Sequence, residues 1–237
     1  MMREFQEKEL ESRSLEEMHK FFFDWFEDKR KNDGLYYSVR KNNRNDMLSR
    51  GCIFLGTGYI AIPLVNHRDC RHRTASVQFV YDAAGGNSYS IEIVSRNLAD
   101  PKFTNSDEEK VFCEKVVAFI EVLYKYAEDN GGEVLTPEES ESFFSRDLEP
   151  EVPLFIAHQS QHRPKNNEYQ AKLFFNESKP EAALEKFYAF WKEYGIEYWK
   201  DYFESPASTV LTINKSLAKI DHSVAQCDWP LKVDWKE

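Results

Sequence analysis

The chain is 237 residues long, 41% hydrophobic and 30% charged, with a net charge of −10 and an aromatic share of 15%. That length fits one large domain or two small ones with a substantial core, and the composition excludes the disordered class. The longest apolar runs, Ile60–Val65 and Val116–Ile120, are too short to cross a bilayer.

Behind Met1 there is no apolar run of the signal-peptide kind. Cys52, Cys70, Cys113 and Cys227 are scattered, without a CxxC pair. A cytoplasmic chain with reduced thiols and no membrane association is therefore expected.

A first helix is predicted from about Leu15 to Arg30. Ser14 and Glu17 form a capping box, and Leu15, Met18, Phe22, Trp25 and Phe26 share one face. Asn32-Asp33-Gly34 stops it. β-like runs follow at Leu35–Arg40, Cys52–Leu55, Tyr59–Val65, Ser76–Tyr81 and Ser88–Val94, parted by Gly56-Thr57-Gly58 and Ala84-Gly85-Gly86-Asn87. Connections this short make neighbouring strands antiparallel.

A second helix is predicted from Asp107 to about Glu128. Ser106 and Glu109 form its capping box, Phe112, Val116, Phe119, Ile120 and Leu123 its stripe, and Asn130-Gly131-Gly132 its end. Residues 133–152, with Pro137, Pro150 and six Glu, read as an acidic linker. Strands follow at Leu154–Ala157 and Tyr169–Phe175, then a helix from Pro180 to about residue 200 with Leu184, Phe187, Trp191, Tyr194 and Tyr198 on one side. A strand at Thr209–Ile213, a short helix from Lys215 and a Trp-containing tail complete the chain.

The expected fold is α+β: a mostly antiparallel sheet of five or more strands flanked by helices, with lobes 1–132 and 153–237 joined through 133–152. Phe112, Phe119, Leu123, Leu184, Phe187 and Trp191 are the predicted core. An internal echo points toward a duplicated strand–loop–strand–helix unit. Pro63-Leu64 with His72-Arg73 recurs as Pro153-Leu154 with His162-Arg163, and Glu114-Lys-x-x-Ala-Phe119 recurs as Glu185-Lys-x-x-Ala-Phe190.

No HExxH, GxSxG or GxxxxGK[ST] motif occurs, so no catalytic residue and no cofactor are assigned. His67, Cys70 and His72, with His158 and His162, are residue types that zinc prefers. Their spacing fits no standard finger, and exposed loop histidines are the plainer reading.

Charge is unevenly spread. Residues 29–73 hold ten basic and three acidic side chains, a net +7, which leaves −17 on the remainder. A local basic stretch on an acidic body is an electrostatic footprint for a polyanion, although solvated loop charges facing acidic helices give the same count. If the partner is DNA, the phosphate contacts fall to Arg40, Lys41, Arg44, Arg50, Arg68, Arg71 and Arg73. Tyr36, Tyr37 and Tyr59 are then the candidates for stacking on a base.

Phe21–Phe26, Tyr37-Ser-Val-Arg40, Arg50-Gly-Cys-Ile-Phe-Leu-Gly56, Tyr59-Ile-Ala-Ile62 and His72–Val80 together resemble the N-terminal modules of McrB-type modification-dependent restriction ATPases. That resemblance covers about a third of the chain. It implies DNA recognition in a restriction or phage-defence system, with an ATPase or nuclease partner supplying the chemistry, because no Walker motif is present here. A second likeness covers Ser76 to Val111: Ser-Val-Gln-Phe-Val, the Gly-Gly turn, Ile-Glu-Ile-Val-Ser-Arg-Asn and the helix start look like the secretion-chaperone-like YbjN group. It implies a protein-binding role without nucleic acid.

Overall fold

The computed structural model describes residues 13–35, 54–55, 58–66, 75–84, 86–96, 107–135, 154–163 and 166–204. The elements are α1 (Leu15–Asp33), β1 (Phe54–Leu55), β2 (Tyr59–Asn66), β3 (Ala75–Asp82), β4 (Ser88–Arg96), α2 (Asp107–Asp129), β5 (Glu133–Leu135), β6 (Leu154–Arg163), β7 (Asn166–Phe175), α3 (Pro180–Phe190) and α4 (Ile196–Glu204). A single π-helical turn, Trp191–Gly195, joins α3 to α4. Among the described residues no helix is long and apolar enough to cross a membrane.

The sheet has seven strands in the order β1-β2-β3-β4-β7-β6-β5. Every pairing is antiparallel except β5 with β6. The α+β class and the predominantly antiparallel sheet agree with the sequence reading. Residues on either side of the acidic stretch share this one sheet, because β4 pairs with β7 from Tyr89↔Phe175 to Arg96↔Glu168. In the second unit of the internal echo the order is strand, strand, helix (β6, β7, α3). In the first, β4 intervenes between β3 and α2.

α1 forms where its caps say it should. The Ser14 hydroxyl accepts from the Glu17 amide at 3.2 Å, and the Glu17 carboxylate accepts from the Ser14 amide at 2.7 Å. At the other end Gly34 takes φ 69°, a left-handed conformation that a side chain would resist, and closes the last turn onto the Lys29 carbonyl.

Alternation along the strands puts one face under the helices. Val77, Phe79 and Tyr81 of β3, Tyr89, Ile91 and Ile93 of β4, and Ala171, Leu173 and Phe175 of β7 join Phe22 and Phe26 of α1, Phe119 of α2 and Leu184 of α3 in one core. The packing is unusually rich in rings: Phe79 and Phe187 centroids lie 5.0 Å apart, Phe26 and Phe187 5.7 Å, Phe22 and Phe79 5.7 Å. All six predicted core residues are buried. On the opposite face Ser76, Gln78, Glu92 and Lys172 are only partly covered, and the Gln78 amide donates to the Glu92 carboxylate at 3.3 Å.

Burying so many phenols has a pH signature. Tyr89, Tyr126 and Tyr198 are held above the ordinary phenol range, first of all by burial. Tyr188 is pushed up to about 12, by burial first and then by its hydrogen bond to the Asp33 carboxylate. The fold favours the neutral phenol, so above pH 10 the unfolded chain binds fewer protons than the folded one. This stabilisation is complete below about pH 10 and is lost as pH rises through about 12. An alkaline titration should show phenolate absorbance rising together with loss of circular dichroism. Smooth ionisation near pH 10 with the fold intact would contradict the burial of these rings.

Three predictions for secondary structure differ from what is observed. β6 continues six residues past Ala157, because His158–Arg163 pairs with Asn166–Ala171 of β7. Residues 133–135 of the acidic stretch form β5, parallel to Phe155–Ala157. The helix from Pro180 is interrupted by its π turn. The expected strands at 35–40 and 209–213 and the helix from 215 lie outside the described residues.

Candidate nucleic-acid interface

Antiparallel pairing gives the sheet two ends of different character. One end holds Tyr59, Asp82, Ser88, Phe175, Leu154 and Glu133. It carries Asp82, Glu133 and, two residues past β7, Glu177, whose carboxylate pairs with the Lys186 ammonium. At the other end β2 finishes at Asn66, β3 starts at Ala75, β4 finishes at Arg96, and β6 turns into β7 between Arg163 and Asn166.

The β2–β3 connection, residues 67–74, departs from and returns to this second end. It carries Arg68, Arg71 and Arg73 against Asp69. β1 also belongs here. Phe54 pairs with Ala61 and Leu55 with Ile60, so the chain enters β1 from the side toward which β2 runs. A bulge between Pro63 and Val65 precedes this end of β2. Proline lacks the amide a ladder needs, and Pro63 stands beyond the two residues that β1 covers.

Arg40, Lys41, Arg44, Arg50, Arg68, Arg71 and Arg73 lie outside the described residues, as do Tyr36 and Tyr37. Tyr59 is described. It stands at the start of β2 opposite Asp82, seven residues from Asn66 and thus about 23 Å from the basic end at ordinary strand rise. It is remote from the connection with which the sequence reading grouped it.

Three basic residues of the 29–73 stretch sit on α1. Lys29 Nζ is 3.0 Å from the Asp33 carboxylate and 4.9 Å from the Tyr188 ring centroid. Hydrogen bonds from Lys29 and then from the Tyr188 hydroxyl hold the Asp33 carboxyl below its usual range. Arg30 binds Glu27 through two contacts, Nε to Oε1 at 2.9 Å and Nη2 to Oε2 at 3.0 Å. Lys29 and Arg30 are committed to intrahelical partners, which leaves the remaining basic residues to supply the surplus.

His158 and His162 are four residues apart on β6, about 13 Å along its axis. Among the described residues no group of three or more His, Cys, Asp or Glu is placed to hold a metal. His67, Cys70 and His72 lie outside them.

The helical layer has the opposite sign. α2 carries seven acidic and three basic residues, so a phosphate backbone meets repulsion along this helix. Sequence reading missed Arg96 and Arg163 as members of this end. Their signal was present, a basic residue closing each predicted β segment or its continuation, but the strand register was needed to bring them together. Compared with protein-family models, curated proteins and solved structures, the chain shows no match.

Proposed function

We propose that the chain is a non-catalytic DNA-recognition module of a restriction or phage-defence system, contacting the duplex through the basic end of its sheet. The carrying observation is topological: the ends of β2, β3, β4 and β6 meet where the arginine-bearing connections begin and return. The resemblance of residues 21–94 to restriction modules supplies the biological setting. An ATPase or nuclease partner supplies cleavage. Arg68, Arg71 and Arg73 neutralise phosphates, with Arg40, Lys41, Arg44 and Arg50 reaching the same backbone from the segment before β1.

Salt dependence tests this reading, because each phosphate neutralised releases counterions and contributes about 0.9 to the slope of log affinity against log salt. Gel shifts of methylated and unmethylated duplexes at two salt concentrations should show binding that weakens steeply with salt. Changing Arg68, Arg71 and Arg73 together to alanine should reduce that slope by up to about 2.7 and affinity by roughly a hundredfold at physiological salt. A folded triple variant that binds as before removes the physical support for the reading.

A protein-binding role is favoured by a different feature. The helical layer is acidic, with seven acidic and three basic residues on α2. The likeness of Ser76–Val111 to secretion-chaperone-like proteins falls on β3, β4 and the first turn of α2, and matches this alternative. It requires that wild-type protein fail to shift either duplex even at low salt.

A further inference from the structure

We infer that Asn130 is a site of spontaneous deamidation, and that its conversion to isoaspartate undoes the turn that ends α2 and begins β5. The inference is independent of the DNA reading.

Asn130-Gly131 is the one Asn-Gly pair in the 237-residue sequence. The glycine matters because ring closure brings the backbone nitrogen of the following residue onto the asparagine side-chain carbonyl, and a Cβ on that residue obstructs the approach. Asn130 is exposed. Gly131 takes φ 70°, and no atom lies within 4 Å of where its Cβ would stand.

In the closed turn the Gly131 amide donates to the Glu128 carbonyl at 3.2 Å and the Gly132 amide to the Ala127 carbonyl at 2.6 Å, a Schellman closure. The Asn130 side-chain amide donates to the Tyr126 carbonyl at 2.8 Å. Helix ends fray at little cost in free energy, and fraying releases the Gly131 nitrogen. That nitrogen attacks Cγ of Asn130. The N–Cγ bond forms, the Cγ–Nδ2 bond breaks, and Nδ2 leaves as ammonia with the proton of the Gly131 amide. Water then opens the succinimide. Cleavage at Cγ yields aspartate, and cleavage at the backbone carbonyl carbon of residue 130 yields isoaspartate, whose main chain runs through Cγ.

Either product sets a carboxylate beside Glu128 and Asp129, in a last turn without a basic residue and at the negative end of the helix dipole. Isoaspartate also adds a methylene to the main chain, so the bonds to Ala127 and Glu128 cannot both be kept. β5 starts directly after this turn and meets β6 at three register positions, Glu133↔Phe155 to Leu135↔Ala157. Losing the turn therefore loosens the strand.

Asp33-Gly34, the one Asp-Gly pair, occupies the equivalent place on α1, with Gly34 at φ 69°. It is spared by its partners. A carboxylate must take up a proton before its oxygen can leave, and Lys29 at 3.0 Å and the Tyr188 hydroxyl keep Asp33 ionised.

The test holds the full chain in mildly alkaline buffer, with and without urea, then labels isoaspartate with an isoaspartyl methyltransferase and maps the peptides. Label should gather at residue 130 of the folded chain, at a rate within about tenfold of that in urea. Asn130→Gln, which has to close a larger ring, should abolish it. The aged protein should lose hydrogen-exchange protection across Glu133–Leu135. Asn130→Asp carries the charge without the extra methylene, so it should keep that protection and melt about 1–3 °C lower. If residue 130 stays an amide in the folded chain, or label persists in Asn130→Gln, the site is overturned. Unchanged protection of β5 in the isoaspartate form overturns the consequence drawn for the turn.

Discussion

Replacing Phe119 with alanine should lower the free energy of unfolding by about 3–5 kcal/mol. The ring is fully buried at the middle of α2 and is shared by four others. Tyr198 lies 4.8 Å away, Trp199 5.7 Å, Trp191 6.1 Å and Phe190 6.3 Å between centroids. These neighbours come from α3, the π turn and α4, so one truncation removes a ring that touches all three segments. Large rings on rigid helices cannot collapse into the space left behind, which places the cost in the upper part of the usual range. Urea denaturation of both proteins measures it. A loss below about 1 kcal/mol with an unchanged m-value would show that the site repacks and that Phe119 is not the hub described.

Gly195→Ala should destabilise the protein by about 1–3 kcal/mol, against the ordinary preference for alanine in a helix. A Cβ at this position would stand 2.3 Å from Cε3 and 2.5 Å from Cδ2 of Trp191. That ring is fully buried and packs on Phe119 and Phe187, so it has nowhere to move. In an unobstructed helix the same substitution stabilises by about 0.5–1 kcal/mol. The sign of the change therefore reports the packing directly. A higher melting temperature in Gly195→Ala would mean that the ring does not lie over the glycine.

The two substitutions mark the limit of what sequence could foresee. The apolar stripe through Leu184, Phe187 and Trp191 is legible because its spacing suits a helix, and so is the burial of each residue. The wider turn is not legible. Trp-Lys-Glu-Tyr-Gly has the letters of an uninterrupted helix, and nothing in them announces the indole lying over Gly195. Strands with apolar alternation, β3 and β4 above all, are visible from composition and turn residues. The second half of β6 is not, since His-Gln-Ser-Gln-His-Arg has a loop's composition and is held extended by backbone pairing to β7.

The candidate site divides along the same line. A surplus of basic residues in one stretch needs only counting. That β2, β3, β4 and β6 share one sheet end needs the strand register, and the exclusion of Tyr59 from that end needs the direction of β2. Arg163 belongs there because of a hairpin whose first strand is longer than its hydrophobic run. Local pattern carries the elements, whereas pairings between distant residues carry the site.

The pairing of β4 with β7 also governs how the chain must be made. Its partners lie between 72 and 86 residues apart in sequence, from Arg96↔Glu168 to Tyr89↔Phe175. At synthesis rates of about 5–20 residues per second, β4 waits several seconds for its neighbour to be produced. Throughout that interval its edge is open and Ile91 and Ile93 have only half their final surroundings. The nascent chain thus passes through a stage at which pairing with another copy competes with completion of its own sheet, and slower translation between β4 and β7 prolongs the exposure.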